Sequence, residues 1–102
     1  MARIISEKAA FCFYRGENFH ENNTRVKNDG VMVSLYLHGN RIAFYPVKLK
    51  KKVCFTLAGW NTNTTRERLK ALGIEIRVKN GVPFYDGKEI DPDDIYDTNI
   101  IA

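Results

Sequence analysis

The strongest constraint on the fold is an alternating apolar segment that leads into a turn and a second apolar segment. Residues 31–37 read Val-Met-Val-Ser-Leu-Tyr-Leu, and every second side chain falls on one face of an extended strand. Residues 38–40 (His-Gly-Asn) are typical of a tight hairpin turn. Residues 41–45 form the return strand, and Pro46 indicates a strand end or a sheet edge. The sequence therefore predicts an antiparallel hairpin.

Other segments extend this hairpin into a meander of three or four antiparallel strands. Residues 9–14 predict a first strand, and residues 53–57 predict the strand that follows the hairpin. Residues 15–30 are polar and rich in turn-forming residues, so they predict a long loop or a weak edge strand.

One short helix is predicted after the meander. Thr64 is the predicted N-cap, and Glu67, three residues later, completes a capping box. Gly73 is placed to end the helix, because glycine readily adopts the left-handed conformation found there. Leu69 and Leu72 fall on one side of the helix and are expected to pack against the sheet.

The remaining residues predict a second hairpin and an acidic tail. Residues 74–78 and 82–85 flank a Lys-Asn-Gly turn, and Pro83 suggests a sheet edge. Residues 91–92 (Asp-Pro) are typical of a helix start. The predicted fold class is α+β, with a mainly antiparallel β meander, one short helix packed on the sheet, a β-hairpin and an acidic C-terminal tail. The 102 residues are expected to form a single domain, with residues 86–102 as the tail.

The net charge of +4 hides an uneven distribution. Residues 1–85 hold fifteen lysines and arginines and six acids, whereas residues 86–102 hold one lysine and six acids. A basic body attracts polyanions such as nucleic acid. An acidic tail can cover that basic surface or bind a basic partner. Both regions are equally compatible with ordinary solvated surfaces.

The composition also sets the expected compartment. The chain has no apolar run long enough to cross a membrane, and its first residues lack the apolar core of a signal peptide. Cys12 and Cys54 lie within apolar segments and are expected to be buried, reduced thiols and not a disulfide. The expected location is therefore the cytosol, without membrane contact.

No group of residues predicts catalysis or a metal site. Cys12, Cys54, His20 and His38 are potential zinc ligands, but they lack the closely spaced pairs of structural zinc sites. Cys54 and His38 would form a nucleophilic pair only if the fold brought them together. The sequence contains neither a phosphate-cradling loop motif nor a nucleophile-elbow motif. We therefore expect a protein without enzymatic activity and without a cofactor.

Basic residues near aromatic rings and polar groups are the best candidates for a functional site. The rings of Tyr36, Phe44, Tyr45 and Trp60 are candidates for stacking on exposed bases. The polar loop before the helix offers hydrogen-bond donors to phosphate. The residues predicted to bind nucleic acid, either DNA or RNA, are Trp60, Asn61, Asn63, Thr64, Arg66, Arg68, Lys70, Arg41, Lys50, Lys51 and Lys52.

Two motifs resemble those of short proteins encoded by tailed bacteriophages. Residues 37–43 contain the His-Gly-Asn-x-Ile-Ala turn of that group, and residues 57–69 contain its Gly-Trp-x-Thr-x-Thr-Thr-x-x-Arg-Leu segment. Residues 81–85 look like its final glycine-then-aromatic strand. The resemblance spans residues 35–86. It implies a phage accessory protein in the cytoplasm of a bacterial host, and it implies no catalytic residues.

A second function remains open for such a protein. The acidic tail, or an exposed edge strand near Pro46 or Pro83, suits a protein–protein modulator that inhibits a host enzyme, polymerase or defence complex. Edge strands can also pair with a second copy of the chain, so the sequence is compatible with a monomer or a homodimer.

Overall fold

The main sheet is an antiparallel meander closed at one edge by the C-terminal strand. A computed structural model describes residues 2–48 and 52–101. The helices are α1 (Ala2–Arg15) and α2 (Asn63–Ala71), and the strands are β1 (Phe19–Glu21), β2 (Thr24–Asn28), β3 (Met32–Leu37), β4 (Asn40–Pro46), β5 (Lys52–Phe55), β6 (Ile76–Lys79), β7 (Val82–Tyr85), β8 (Lys88–Glu89) and β9 (Tyr96–Ile101). The main sheet has the order β1-β2-β3-β4-β5-β9, and a small sheet has the order β6-β7-β8. This is the mainly antiparallel α+β architecture that the sequence predicts, but with two helices in place of one.

The N-terminal helix corrects the strand predicted over residues 9–14. Ser6, Ala9, Ala10 and Phe13 are buried, and their spacing of three and four residues is that of one helix face. Phe11, which lies within the segment predicted as a strand, is 62% exposed. The aromatic and apolar composition of this segment favoured a strand, whereas the burial of Ser6 and two alanines favours a closely packed helix.

Both helices pack on one face of the main sheet, which we call the inner face. The Tyr14 hydroxyl donates a hydrogen bond to the Leu72 carbonyl at 2.5 Å, which joins the two helices. From α2, Leu69 and Leu72 enter the same core, as predicted. The core also contains Val26, Leu35 and Phe55 of the sheet together with Phe13 of α1. Within residues 2–48 and 52–101, no helix lies on the opposite face, which we call the outer face.

A bulge in β4 lets two successive residues point into the core. The register between β3 and β4 shifts between Leu35 and Tyr36. Ile42 and Ala43 are both buried, whereas Arg41 lies opposite Tyr36 and is exposed. Because side chains otherwise alternate along a strand, the extra residue keeps Arg41 on the outer face.

The α2 helix begins earlier than predicted and ends where predicted. Thr62, not Thr64, is the N-cap, and its Oγ1 accepts a hydrogen bond from the Thr65 amide at 3.2 Å. Gly73 has a φ of +96°. The Ile74 amide donates to the Leu69 carbonyl at 3.0 Å, and the Gly73 amide donates to the Lys70 carbonyl at 2.9 Å. This is the Schellman arrangement that a glycine at this position favours.

The polar segment over residues 15–30 contains a hairpin. Strands β1 and β2 pair antiparallel, with His20 opposite Arg25, and β1 is an edge of the main sheet. The prediction of a long loop or a weak edge strand therefore missed β2, which is a full member of the sheet.

The acidic C-terminal segment is also part of the fold. Residues 91–94 form a turn in which the Asp94 amide donates to the Asp91 carbonyl at 3.1 Å, so the helix start predicted there is wrong. Strand β9 pairs with β5, and Thr98 is buried with its hydroxyl donating to the Val53 carbonyl at 2.8 Å. Pro46 ends β4, as predicted, but β4 and β7 are both interior strands. Neither proline lies in an edge strand, so the sheet-edge alternative for Pro46 and the sheet edge suggested at Pro83 are both wrong.

Candidate functional site

The outer face carries a row of polar and aromatic side chains across the first four strands. His20 of β1 lies opposite Arg25 of β2, Arg25 lies opposite Tyr36 of β3, and Tyr36 lies opposite Arg41 of β4. His20, Arg25 and Arg41 are exposed, and Tyr36 is half-buried. Facing side chains on adjacent strands are close enough to act on one ligand. The row therefore places a phenol ring between two guanidinium groups.

A second row runs parallel to the first and reaches the last strand. Lys27 lies opposite Ser34, Ser34 opposite Phe44, Phe44 opposite Cys54, and Cys54 opposite Asp97. The Ser34 side chain is buried, and the Phe44 ring beside it is half-buried. Lys52 alternates with the buried Val53 and therefore shares the outer face with Cys54.

The positive charges of this face are free of carboxylate partners. Among the residues that the structure describes, no carboxylate lies within 4.0 Å of a side-chain nitrogen of Arg25, Lys27, Arg41 or Lys52. The Arg41 guanidinium carbon lies 4.2 Å from the centroid of the Phe44 ring, which is a cation–π arrangement. Unpaired cations beside aromatic rings suit a ligand that offers both negative charge and planar rings.

Asp97 contributes a negative charge at the β9 end of the outer face. The Cys54 thiol donates a hydrogen bond to Asp97 Oδ1 at 3.0 Å. Burial is the largest cause of a raised pKa of the Cys54 thiol, and together with the hydrogen bond to Asp97 and the charge of that carboxylate it raises the pKa to about 11. The thiol is therefore protonated at neutral pH, which argues against Cys54 as a nucleophile.

The loop before α2 presents the tryptophan beside a small cavity. Ala58 and Gly59 both have positive φ, +53° and +81°, and Trp60 follows them with 58% of its surface exposed. The cavity has a volume of about 310 Å³. Its lining residues come from the β3–β4 turn region and from the loop and first turn of α2, and they are Leu37, His38, Asn40, Ile42, Leu57, Trp60, Thr62 and Thr65.

Two asparagines of the same loop are engaged with an arginine of α2. The Arg66 guanidinium donates to Asn61 Oδ1 at 2.5 Å and also to Asn63 Oδ1. The Asn61 amide nitrogen donates to the Gly81 carbonyl at 3.3 Å. The predicted binding residues Asn61, Asn63 and Arg66 thus form a hydrogen-bonded cluster that ties the loop to the helix.

The structure removes Arg68 from the set of surface residues. Its side chain is 2% exposed and lies between the two helices and the sheet. The guanidinium donates to Thr24 Oγ1 at 2.8 Å and to Ser6 Oγ at 2.6 Å, and it pairs with Glu67 at 3.3 Å. Burial lowers the pKa of Arg68 from its ordinary value, and Glu67 partly opposes that shift. Arg68 is therefore a structural residue, and the prediction that it contacts nucleic acid is wrong.

The remaining predicted cations lie apart from one another. Lys70 is exposed beside a groove between α1 and α2 that also contains the carboxylates of Glu7, Glu67 and Glu75. The groove is therefore not a positive surface. Thr64 lines the same groove. Lys50 and Lys51 lie outside the described residues. Of the predicted set, only Arg41 and Lys52 are found on the outer face.

Sequence reasoning missed Arg25 and Lys27 because it assigned their segment to a long loop or a weak edge strand. The available signal was their alternation with Thr24 and Val26 in a Thr-Arg-Val-Lys segment, which is typical of a half-buried strand. Tyr45, one of the proposed stacking rings, is buried, and its hydroxyl donates to the Phe13 carbonyl at 2.5 Å.

The cysteines and histidines do not converge. In the described part of the chain, no three His, Cys, Asp or Glu side chains are arranged to hold a metal ion. Cys12 and Cys54 are free thiols. His38 lies in the β3–β4 turn with its Nε2 atom 3.4 Å from Asn23 Nδ2. Neither α1 nor α2 has the length and apolar character of a membrane-spanning helix.

Comparison with known proteins matches the chain to a protein family. The sequence model of a family described as Kyanoviridae Gp96 protein matches residues 2–100. The match extends beyond residues 35–86, the segment that carried the sequence resemblance, and includes α1, β1, β2 and all but the last residue of β9. No curated protein and no solved structure shows a significant match to the chain.

Proposed function

The chain belongs to the Kyanoviridae Gp96 protein family, a family of tailed-phage proteins, and from this and the outer face we propose a phage accessory protein that binds nucleic acid. The proposal places it in the cytoplasm of the bacterial host and assigns it no enzymatic activity. The outer face is the proposed binding surface, with Arg25, Lys27, Arg41 and Lys52 contacting phosphates and with Tyr36 and Phe44 stacking on bases.

One observation supports this proposal above the others. Four cations surround two aromatic rings on a helix-free sheet face, and none of the four has an acidic partner among the described residues. Cations that are not neutralised within the protein release bound counterions from phosphate and give salt-dependent affinity. Cations on α2, by contrast, already have partners or acidic neighbours.

The test measures binding of labelled single- and double-stranded DNA and RNA by fluorescence anisotropy across a series of salt concentrations. The triple variant Arg25→Ala/Lys27→Ala/Arg41→Ala is expected to weaken binding at low salt by at least about 10-fold and to reduce the salt slope by about two to three. The matched control Lys70→Ala/Arg77→Ala/Lys79→Ala removes the same charge from exposed positions off the outer face. It is expected to keep most of the affinity.

Equal losses in the two triple variants would show that only net charge matters and would contradict a defined binding face. No binding by the wild-type protein at low salt would reject the nucleic-acid proposal altogether.

A protein partner is the second candidate function, and one surface feature favours it. Phe11 and Ile4 are 62% and 51% exposed on α1, and Phe11 shares a groove with Phe19 of the edge strand β1. Exposed apolar side chains beside an unpaired strand edge suit docking of another protein.

Strand β9 is built into the main sheet, so a test of the acidic segment needs point substitutions and not a truncation.

A further inference from the structure

The two sequence motifs of the chain meet at one cavity. Leu37, His38, Asn40 and Ile42 come from the His-Gly-Asn motif, and Leu57, Trp60, Thr62 and Thr65 come from the Gly-Trp motif. These segments are separated along the chain and belong to the β3–β4 hairpin and the start of α2. The cavity of about 310 Å³ lies at the lower end of the range for small-ligand pockets, roughly 300–1,000 Å³.

The chemistry of the lining suits a planar ring with polar edges. Leu37, Ile42 and Leu57 are buried and form an apolar part of the lining. Trp60 supplies an exposed indole face, which is the best of the side-chain surfaces for stacking. His38, Asn40 and Thr62 are exposed and add an imidazole, an amide and a hydroxyl group. An apolar site with a few polar groups can read the edge of a base while it stacks on the ring.

The cavity and the proposed nucleic-acid surface share one lining residue, His38. A groove lined by Arg25, Lys27, Tyr36 and His38 runs on the outer face near the β3–β4 turn. His38 lines both this groove and the cavity. Tyr36 and Arg41 lie on the outer face, whereas their chain neighbours Leu37 and Ile42 are buried on the inner face and line the cavity. A strand whose phosphates follow the cations of β2 and β4 therefore passes around the hairpin turn at His38 to place a base in the cavity.

We propose that the cavity receives one unpaired nucleobase of a single-stranded nucleic acid bound to the outer face, with the base stacked on Trp60. This inference rests on the proposed function and makes it more specific. A base held in a Watson–Crick pair cannot enter the cavity without leaving its stack, because the duplex covers both of its faces and its pairing edge. The protein is therefore expected to prefer single strands over duplexes.

The test uses Trp60 as its own reporter, because it is the only tryptophan in the chain. An ordinary eight-nucleotide single strand and a strand of equal length without bases are titrated into the full-length protein. Binding is followed by anisotropy of the labelled strand, and Trp60 emission is followed in parallel. The ordinary strand is expected to change Trp60 emission with the same midpoint as the anisotropy, and the baseless strand is expected to bind more weakly without that change.

A substitution of Trp60 tests base stacking independently of the emission measurement. Trp60→Ala is expected to weaken binding of the ordinary strand by about 5- to 100-fold, the range for loss of one stacked base. It is expected to leave binding of the baseless strand unchanged. Phe11→Ala is the matched control, since it removes an equally exposed ring from α1, and it should change neither titration. Thermal unfolding of both variants confirms that they remain folded.

The outcomes separate this inference from the proposed function. Binding of the ordinary strand without any change in Trp60 emission, and with no effect of Trp60→Ala, would overturn the cavity site and leave the outer face intact. Absence of binding by either strand at low salt would overturn both.

Discussion

The outer face and α2 both carry several positive side chains, but the surroundings of those side chains differ. On the outer face, Arg25, Lys27, Arg41 and Lys52 have no acidic partner among the described residues. On α2, Arg68 is buried in a hydrogen-bonded network, Arg66 is held by two asparagines, and Lys70 lies beside three glutamates. The comparison shows that a cation's partners, and not its place in a basic segment, decide whether it is available to a ligand.

The largest expected effect is a loss of folding stability when a hydrogen-bonded cation of α2 is removed. Arg68→Ala removes the donors that satisfy Thr24 and Ser6 and leaves a gap between the helices and the sheet. We expect it to lower the free energy of unfolding by about 2–4 kcal/mol, because buried polar groups lose their partners. Arg25→Ala, on the exposed outer face, is expected to cost less than about 0.5 kcal/mol. Urea denaturation of the two variants measures the difference.

Equal destabilisation of the protein by Arg68→Ala and Arg25→Ala would contradict the difference inferred between α2 and the outer face. Arg68→Lys is a useful intermediate. It keeps the charge but cannot reproduce the planar set of guanidinium donors, so it should recover only part of the lost stability.

A smaller effect is expected from the rings of the outer face. Phe44→Leu keeps an apolar side chain between Ser34 and Cys54 but removes the ring on which Arg41 lies. If bases stack there, affinity for single strands should fall by about 5- to 30-fold, while the salt slope should stay the same because no phosphate contact is lost. Anisotropy at two salt concentrations distinguishes these effects.

Tyr85→Leu serves as the control for Phe44→Leu, since it removes a ring that packs against Phe55 away from the outer face. A reduced salt slope in Phe44→Leu would mean that the ring acts only by positioning Arg41. Equal losses of affinity in both variants would mean that the loss reflects general destabilisation and not a stacking site.

The sequence predicted the parts of the fold that depend on local pattern. The alternation over residues 31–37 and the His-Gly-Asn turn correspond to β3 and the β3–β4 hairpin. Gly73 marked the helix end because the Schellman arrangement depends on a few adjacent residues. Strand β9 was missed although Tyr96, Thr98 and Ile100 alternate, since the preceding Asp-Pro turn suggested a helix start.

The candidate site could be predicted less well, because it depends on distant segments. The burial of Arg68 results from Ser6 and Thr24, which lie 62 and 44 residues away along the chain. Helical spacing places Arg68 beside Leu69 and Leu72 and places Arg66 on the opposite flank, but it does not show that α1 and β2 cover that side of the helix. In the same way, Arg25 joins Tyr36 and Arg41 only through strand register. Charge and ring content indicate the chemistry of a surface, whereas the sheet order decides which residues form it.

The smallest predicted effects concern Asp97, the acid at the β9 end of the outer face. Asp97→Asn removes a negative charge and replaces the carboxylate that accepts a hydrogen bond from the Cys54 thiol with a neutral amide oxygen. Affinity for nucleic acid should rise by about two- to three-fold at low salt, because a carboxylate near phosphate is repulsive. The pKa of Cys54 should fall from about 11 toward its ordinary value, although burial, the largest cause of the shift, remains.

Alkylation of Cys54 provides the pH measurement for this comparison. In the wild-type protein the thiol should react at pH 8 roughly 100-fold more slowly than an unperturbed thiol, because the thiolate is the reactive form. Asp97→Asn should react faster. The pKa of Cys54 is higher in the folded protein than in the unfolded chain, so the unfolded chain ionises first. The contribution of Cys54 to stability should therefore be lost as pH rises from about 9 to 11. Peptide mapping separates Cys54 from Cys12. An unchanged alkylation rate in Asp97→Asn would show that burial alone keeps the Cys54 thiol protonated. The Asp97 carboxylate of the wild-type protein would then be free to repel phosphate.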